Sequence, residues 1–353
     1  MTVGTTSGAT ALSGAGRAGT ERKRGLEPTI KEIAAELGIS VATVSKALNG
    51  YTDVSAVTRA RILALARERG YVPNALARGL LRKRSQTVGL ILPDIRDPFF
   101  PEVARGVEDA ANERGYHVIY CNIDRDRQKE LDAVRNLLQK RVDGLILNGD
   151  YVDSGYLDWL RERQVPFVLL RRRLPDPDIS LVDVDNVAGA RLATGHLIGL
   201  GHRDIGFINL PATAYAHAAR LDGFRSAMAA SGLEVNPEWV RDGDYTTDGG
   251  RRLALEILGA GRRRPTAVFA ANDRMALGVL EAAGQLGLRA PDDLAVVGYD
   301  GLDVGALSMI GLSTIAQPRY EMGYLSLELL AGLIAGQVTA GQRVILPVEL
   351  GDC

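Results

Sequence analysis

From residue 86 onward the chain alternates short apolar runs with longer stretches patterned like amphipathic helices. The runs are Val88–Leu92, Val118–Tyr120, Leu145–Leu147, Phe167–Leu170, Ile205–Asn209, Val268–Ala270 and Leu294–Tyr299. Residues that are apolar in succession, without in-and-out alternation, belong in strands covered on both faces. Parallel strands need a crossover connection, usually a helix, so this alternation specifies parallel sheets with helices on both sides. The segments VGLILP (Val88–Pro93) and IGFINLP (Ile205–Pro211) open two similar stretches. Two α/β lobes with a cleft between them are expected, with ligand-contacting residues just after the strands.

The segment before them is organised differently. Thr29–Gly50, TIKEIAAELGISVATVSKALNG, reads as two short helices and a tight turn. Thr29 is placed to cap the first, with Glu32 at the capping-box position. Ile30, Ile33, Ala34 and Leu37 share one face, and Gly38 supplies the left-handed residue that ends the helix. Ser40 caps a second helix, Val41 to Leu48, with Val44, Ala47 and Leu48 inward. A third helix, about Ala56 to Arg69, is expected to turn Val57, Ile62, Leu65 and Ala66 inward. On the second helix Val41, Ala42, Ser45, Lys46 and Asn49 are left outward. Small and polar side chains with one cation suit a helix that enters the major groove of DNA. A plain amphipathic helix pair is the alternative on this stretch alone.

The same residues closely resemble the head of the LacI/GalR family of bacterial repressors, whose pattern runs T-I-x-D-V-A-x-x-A-G-V-S-x-x-T-V-S-R-x-L-N. The resemblance continues, in the family's order and spacing, through Thr58–Leu80, Val88–Phe100, His196–His202, Arg220–Phe224, Ala271–Gly278, Val296–Asp300 and Ser313–Pro318. It implies a helix-turn-helix head on a two-lobed core like that of periplasmic binding proteins. The expected divisions are a flexible tail (1–27), the head (28–72), a hinge helix or linker (73–85) and an effector-binding and dimerisation domain (86–353). The DNA contacts it implies are Thr29, Ser40, Val41, Ala42, Thr43, Ser45, Lys46, Asn49, Tyr71, Asn74, Ala77 and Leu80. Val41, Ala42 and Lys46 would read bases, and Thr29, Ser45 and Asn49 would hold phosphates. Leu80 matches the family's minor-groove wedge, an apolar side chain that kinks a base step. Its helix, opened by Pro73, has at most about ten residues and is marginal alone; it is expected to fold only on DNA.

Charge agrees with this division of labour. The 353 residues carry a net charge of −1, yet residues 21–85 hold 13 Lys/Arg against 6 Asp/Glu, and 86–353 hold 28 against 37. A basic head on an acidic body confines the nucleic-acid contact to the head. Two cysteines, Cys121 and Cys353, are too few for a disulfide framework or a cysteine zinc site. Four histidines without ligand-spaced partners do not suggest a metal. The first 20 residues lack the apolar core of a signal peptide, and no apolar run approaches membrane-span length. A cytoplasmic protein is therefore expected, which counts against a non-DNA-binding sugar-binding protein of similar fold. No G-x-x-x-x-G-K-[ST], G-x-S-x-G or H-E-x-x-H occurs, so no enzyme and no cofactor are expected.

The effector residues expected are Asp97, Phe99, Arg220, Asn272, Asp273 and Asp300. Arg220, before the G-F of RLDGF, resembles the family's effector-binding arginine, and Asp273 its cleft aspartate. A guanidinium facing a carboxylate divides a sugar's hydroxyls between donor and acceptor roles; a structural ion pair is the competing role. Asp97 can instead cap a helix whose first residue is Pro98. Tyr245 and Trp159 are candidate walls. The function expected is a repressor that binds a palindromic operator as a homodimer under control of a sugar, with a purine or other non-sugar ligand as the alternative.

Overall fold

Thr29 closes the capping box that its spacing to Glu32 predicts: the Glu32 amide donates to Thr29 Oγ1 at 3.3 Å, and the Thr29 amide donates to Glu32 Oε2 at 2.7 Å. In this computed structural model, which describes residues 28–72, 84–148, 154–259, 263–303 and 311–351, three helices make the head. They are α1 (Ile30–Leu37), α2 (Val41–Leu48) and α3 (Ala56–Glu68). Gly38, at φ 64°, makes the left-handed turn after α1, and Ser40 caps α2 by accepting from the Thr43 amide at 3.1 Å. Ile33, Ala34, Val44, Ala47, Val54, Ile62, Leu65 and Ala66 form the core. Val57 departs from expectation and is 73% exposed. It lies five residues before Ile62, off the buried stripe, whose earlier member is Thr58 at the four-residue spacing. The tail 1–27 and residues 73–83, with most of the linker, lie outside the described residues.

The larger unit, described by itself, begins with β1 (Thr87–Leu92), α4 (Phe99–Arg114), β2 (His117–Asn122), α5 (Arg127–Gln139), β3 (Gly144–Asn148), α6 (Ser154–Glu162), β4 (Phe167–Leu170) and β5 (Leu181–Val184). The chain then passes through α7 (Asn186–Gly199), β6 (Ile205–Asn209), α8 (His217–Ala230), β7 (Val240–Asp242), α9 (Thr247–Gly259), β8 (Ala267–Ala270), α10 (Asp273–Gln285), β9 (Ala295–Asp300) and β10 (Ser313–Ala316). It ends with α11 (Arg319–Ala335), β11 (Arg343–Leu346) and β12 (Glu349–Gly351). Two six-stranded sheets result, ordered β11-β5-β4-β3-β1-β2 and β12-β10-β9-β8-β6-β7. All described pairings are parallel except β10 with β12. The seven apolar runs all become strands.

The lobes are not sequential. The chain crosses from the first to the second after Val184, returns after Ala316, and crosses again after Leu346. Strands β5, β7, β10, β11 and β12 were not among the runs expected from the sequence. They have three or four residues each, and β5 carries Asp183 while β7 carries Arg241 and Asp242. Short strands with charges do not stand out as apolar runs.

Both faces of the first sheet are covered. Leu90, Leu92, Ile146 and Val168 pack on the α4 side, and Ile91, Leu145, Leu147 and Leu169 meet Val134 and Leu137 of α5 and Leu157 and Leu160 of α6. Helices α4 and α11 cross at backbone contact. A Cβ on Gly106 would overlap the Tyr320 carbonyl, and one on Gly323 the Val103 carbonyl. Glycine at both positions sets that spacing and so fixes α11 against the first sheet.

Candidate functional site

The strand ends bring a mostly polar group of side chains to the space between the lobes. In the first lobe Asp97 follows β1, Arg125 follows β2 and Arg171 follows β4, and Asn186 opens α7 where the chain enters the second. From the second lobe come Leu210 after β6, Tyr245 after β7, Asn272 after β8, Asp300 at the end of β9 and Gln317 after β10. Arg220 of α8 and Phe99 of α4 complete the walls. What remains empty is two cavities of about 10 Å³ each, room for about one water apiece.

Backbone strain collects here. Arg125 (φ 56°), Arg171 (φ 60°), Tyr245 (φ 68°) and Asp300 (φ 132°) are four of the eight non-glycine residues with positive φ among the described residues. A side chain in that region costs roughly 1–3 kcal/mol, and such strain persists where the surroundings over-determine it, commonly at ligand sites.

Among the described residues Arg220 is the most enclosed cation, at 1% exposure. Its Nε donates to Asn186 Oδ1 at 3.1 Å, its Nη1 donates to the Ala271 carbonyl, and its guanidinium lies 3.6 Å over the Tyr299 ring. Burial pushes its pKa below the usual arginine range, which the nearby Tyr299 and Asp300 oppose. Tyr299 is itself held by α7, where a Cβ on Gly189 would overlap its hydroxyl. Asp300 accepts from Gln317 Nε2 at 2.8 Å. Its burial pushes the carboxyl up to about 8, although Arg220 and Arg171 pull the other way.

Contacts between lobes run through the same residues. Arg125 donates to Asp97 Oδ2 at 3.0 Å and stacks 4.0 Å over the Tyr245 ring of the other lobe. The Tyr215 hydroxyl donates across to Asp183 Oδ2 at 2.9 Å, where Arg173 Nε also donates at 2.9 Å. Arg171 lies 4.5 Å over Phe99.

Of the expected effector residues, Asp97, Phe99, Arg220, Asn272 and Asp300 line this space and Asp273 does not. The expected Arg220–Asp273 facing pair is therefore corrected. Asn272 is the N-cap of α10, accepting from the Met275 amide at 2.9 Å, and its Nδ2 donates to the Tyr245 carbonyl at 3.2 Å. Asp273, one residue on, points toward β9 and β10, where the Leu302 amide (2.7 Å) and the Thr314 hydroxyl (2.5 Å) donate to it. Asp300 is the carboxylate near Arg220. Asp97 also supports the start of α4, accepting from the Phe99 amide at 3.2 Å. Trp159 stacks on Tyr156 and lies apart from this space. Sequence reading missed Arg125, Arg171, Asn186 and Gln317, although the end-of-strand rule covers all four.

In the head, α2 leaves Val41 (41% exposed), Ala42 and Lys46 on the surface, with Ser45 half-buried. Thr43 and Ser40 share a hydroxyl hydrogen bond of 2.9 Å, and Asn49 Nδ2 donates to the Ser45 carbonyl at 2.8 Å. Lys46 pairs with Asp53, which raises its pKa; exposed pairs of this kind are weak and exchangeable. Thr29 is occupied by its cap, and Tyr71 packs half-buried on the head core. Asn74, Ala77 and Leu80 lie outside the described residues.

Comparison with known proteins is decisive. Residues 29–74 match the family described as bacterial regulatory proteins, lacI family, and residues 85–351 match periplasmic binding proteins and sugar binding domain of LacI family. The chain belongs to the LacI family. Among LacI-family relatives, catabolite control protein A of Priestia megaterium is 36% identical over 320 residues, covering 90% of this chain and 96% of that one. The transcriptional regulator CelR in complex with cellobiose is 34% identical, with a TM-score of 0.70 over 92% of this chain and 98% of that one. The Lac repressor dimer bound to operator and an anti-inducer is 30% identical, with a TM-score of 0.83 over 92% and 98%. No described helix is long and apolar enough to cross a membrane.

Proposed function

We propose that this protein is a cytoplasmic transcriptional repressor that binds a palindromic operator as a homodimer and is controlled by a small sugar-like effector between its lobes. The observation that carries the effector site is the convergence of four strained non-glycine residues, Arg125, Arg171, Tyr245 and Asp300, on one space. Relatives support the class: one is a regulator solved with cellobiose, another a repressor dimer on its operator.

On DNA, α2 would lie in the major groove with Val41, Ala42 and Lys46 toward base edges, Lys46 exchanging Asp53 for a DNA acceptor. Thr29, Ser45 and Asn49 would sit against phosphates. Control follows from the lobe contacts. An effector that replaces Arg125–Tyr245 or Tyr215–Asp183 changes how the lobes close, and with it the spacing of the two linkers in a dimer. A coupling of ~1–3 kcal/mol is enough to change operator occupancy severalfold or more.

Arg220→Ala tests the assignment. The variant is expected to bind operator while losing its response to the effector in a fluorescence-anisotropy titration. A retained response would remove Arg220 from the site, and loss of operator binding as well would assign it a structural role.

A further inference from the structure

We propose that Asp53 is a base-reading residue, and that it recognises one G·C base pair together with Lys46, the lysine at the guanine and the carboxylate at the cytosine amino group. This rests on the reading that α2 lies in the major groove with Lys46 toward base edges. Asp53 stands in the turn between α2 and α3, just beyond the helix that leaves Val41, Ala42 and Lys46 on the surface. Lys46 Nζ donates to Asp53 Oδ2, and each of the two side chains is 51% exposed. The carboxylate therefore shares the surface that Lys46 presents. The hydrogen bond from Lys46 holds the Asp53 carboxyl below its ordinary range, so the group is charged at neutral pH.

The turn that carries Asp53 is fixed on both sides. Before it, the Tyr51 amide donates to the Lys46 carbonyl at 3.0 Å, and Arg59 of α3 donates to the Tyr51 carbonyl. After it, Val54 is 8% exposed in the head core, and Ser55 caps α3 by accepting from the Thr58 amide at 3.2 Å. Backbone anchored to both helices thus holds the carboxylate beside Lys46. The ion pair itself is exposed, and pairs of that kind contribute little and exchange easily.

Charge decides what Asp53 meets there. When Lys46 turns to a DNA acceptor, Asp53 loses its partner beside a phosphate backbone that repels it. An unpaired carboxylate in a closing interface is costly, so the bases have to supply a donor. In the major groove a lysine takes guanine O6 and N7, and a carboxylate accepts from cytosine N4. Guanine O6 and cytosine N4 are hydrogen-bonded to each other within the pair. The acceptor for a lysine and the donor for a carboxylate therefore lie side by side, as Lys46 and Asp53 do. An A·T pair fits less well: its one amino donor, adenine N6, lies between adenine N7 and thymine O4, and a lysine reaches one of those acceptors at a time.

The test is selection of bound duplexes by the full-length protein and by its Lys46→Ala and Asp53→Ala variants. Dissociation constants at constant salt follow, for the selected duplex and for single-pair changes in it. Lys46→Ala is expected to relax one G·C position in each half-site, and Asp53→Ala to relax the same position by about tenfold or more. Ratios are compared, because removing a negative charge tightens binding to every duplex. N4-methylcytosine at that position keeps the base pair and puts a methyl group where the amino hydrogen faces the groove. It should weaken the wild type strongly and Asp53→Ala little, since that variant has no contact there to lose. Circular dichroism verifies that each variant is folded, and Asp53→Asn, of nearly the same shape, serves if Asp53→Ala is not. Tighter binding by Asp53→Ala at unchanged ratios would show a carboxylate that only repels phosphate, and overturns the proposal. Relaxation at a different position, or equal sensitivity of both proteins to the methyl group, overturns it while leaving Lys46 at the bases. Base preferences unchanged in Lys46→Ala overturn it together with the reading of Lys46.

Discussion

Asp300→Asn gives the sharpest physical test of the cleft. The Asp300 carboxyl titrates at about 8 in the folded protein against 3.8 for the unperturbed group, because burial disfavours its charge more than Arg220 and Arg171 favour it. A raised acid pKa means that the folded protein binds a proton the unfolded chain releases. Stability linked to this group is therefore fully present below about pH 4, is lost as pH rises from about 4 to about 8, and is flat above. Four pH units at about 1.4 kcal/mol each set the ceiling on the order of 5 kcal/mol. The replacement amide keeps a carbonyl oxygen to accept from Gln317 and cannot ionise. Its new N–H groups add an offset that does not depend on pH and cancels in the comparison. The measurement is urea unfolding of both proteins at several values between about pH 5 and about pH 9, reading the difference in unfolding free energy. That difference should move in favour of the variant by more than 1 kcal/mol, roughly, across the range. A constant difference, or one moving toward the wild type, would refute the claim that burial holds Asp300 protonated.

Other expectations follow from packing and capping. Gly323→Ala forces α11 away from α4 and should cost roughly 1–3 kcal/mol or more in chemical unfolding; an unchanged midpoint would mean the helices separate freely. Ser40→Ala removes the cap of α2 and should lower head stability by about 1 kcal/mol, visible as a lower melting temperature; an unchanged temperature would assign the cap no energetic role. Leu80→Ala should weaken binding to specific DNA while leaving weak, salt-dependent binding to random duplex. Equal losses on both DNAs would contradict a wedge.

The sequence made the architecture legible because its signals there are redundant. Seven apolar runs, repeated lobe openings and paired caps all point to one fold, and an error in one does not propagate. The exchanged strands were less visible, since β5, β7 and β10–β12 are three or four residues long and their pairing is decided by distant neighbours. In the head, Val57 was misplaced because its hydrophobicity outweighed phase: position 58, not 57, continues the stripe of Ile62, Leu65 and Ala66. In the cleft, motif order does not show which of two adjacent side chains faces the space between the lobes. Asn272 and Asp273 differ by one position at a helix start, and that step turns Asp273 toward Thr314. Arg125 and Arg171 were missed because strand ends rich in arginine read as solvated surface. Both line the space between the lobes and both adopt left-handed backbone, which residue type alone does not announce.

Selection of bound duplexes from a random pool by the full-length protein tests the central claim most directly, followed by dissociation constants for the selected and scrambled sequences at one salt concentration. A twofold-symmetric consensus, bound about a thousandfold or more tightly than its scrambled version, is expected of a dimeric repressor. Binding with no sequence preference would contradict it.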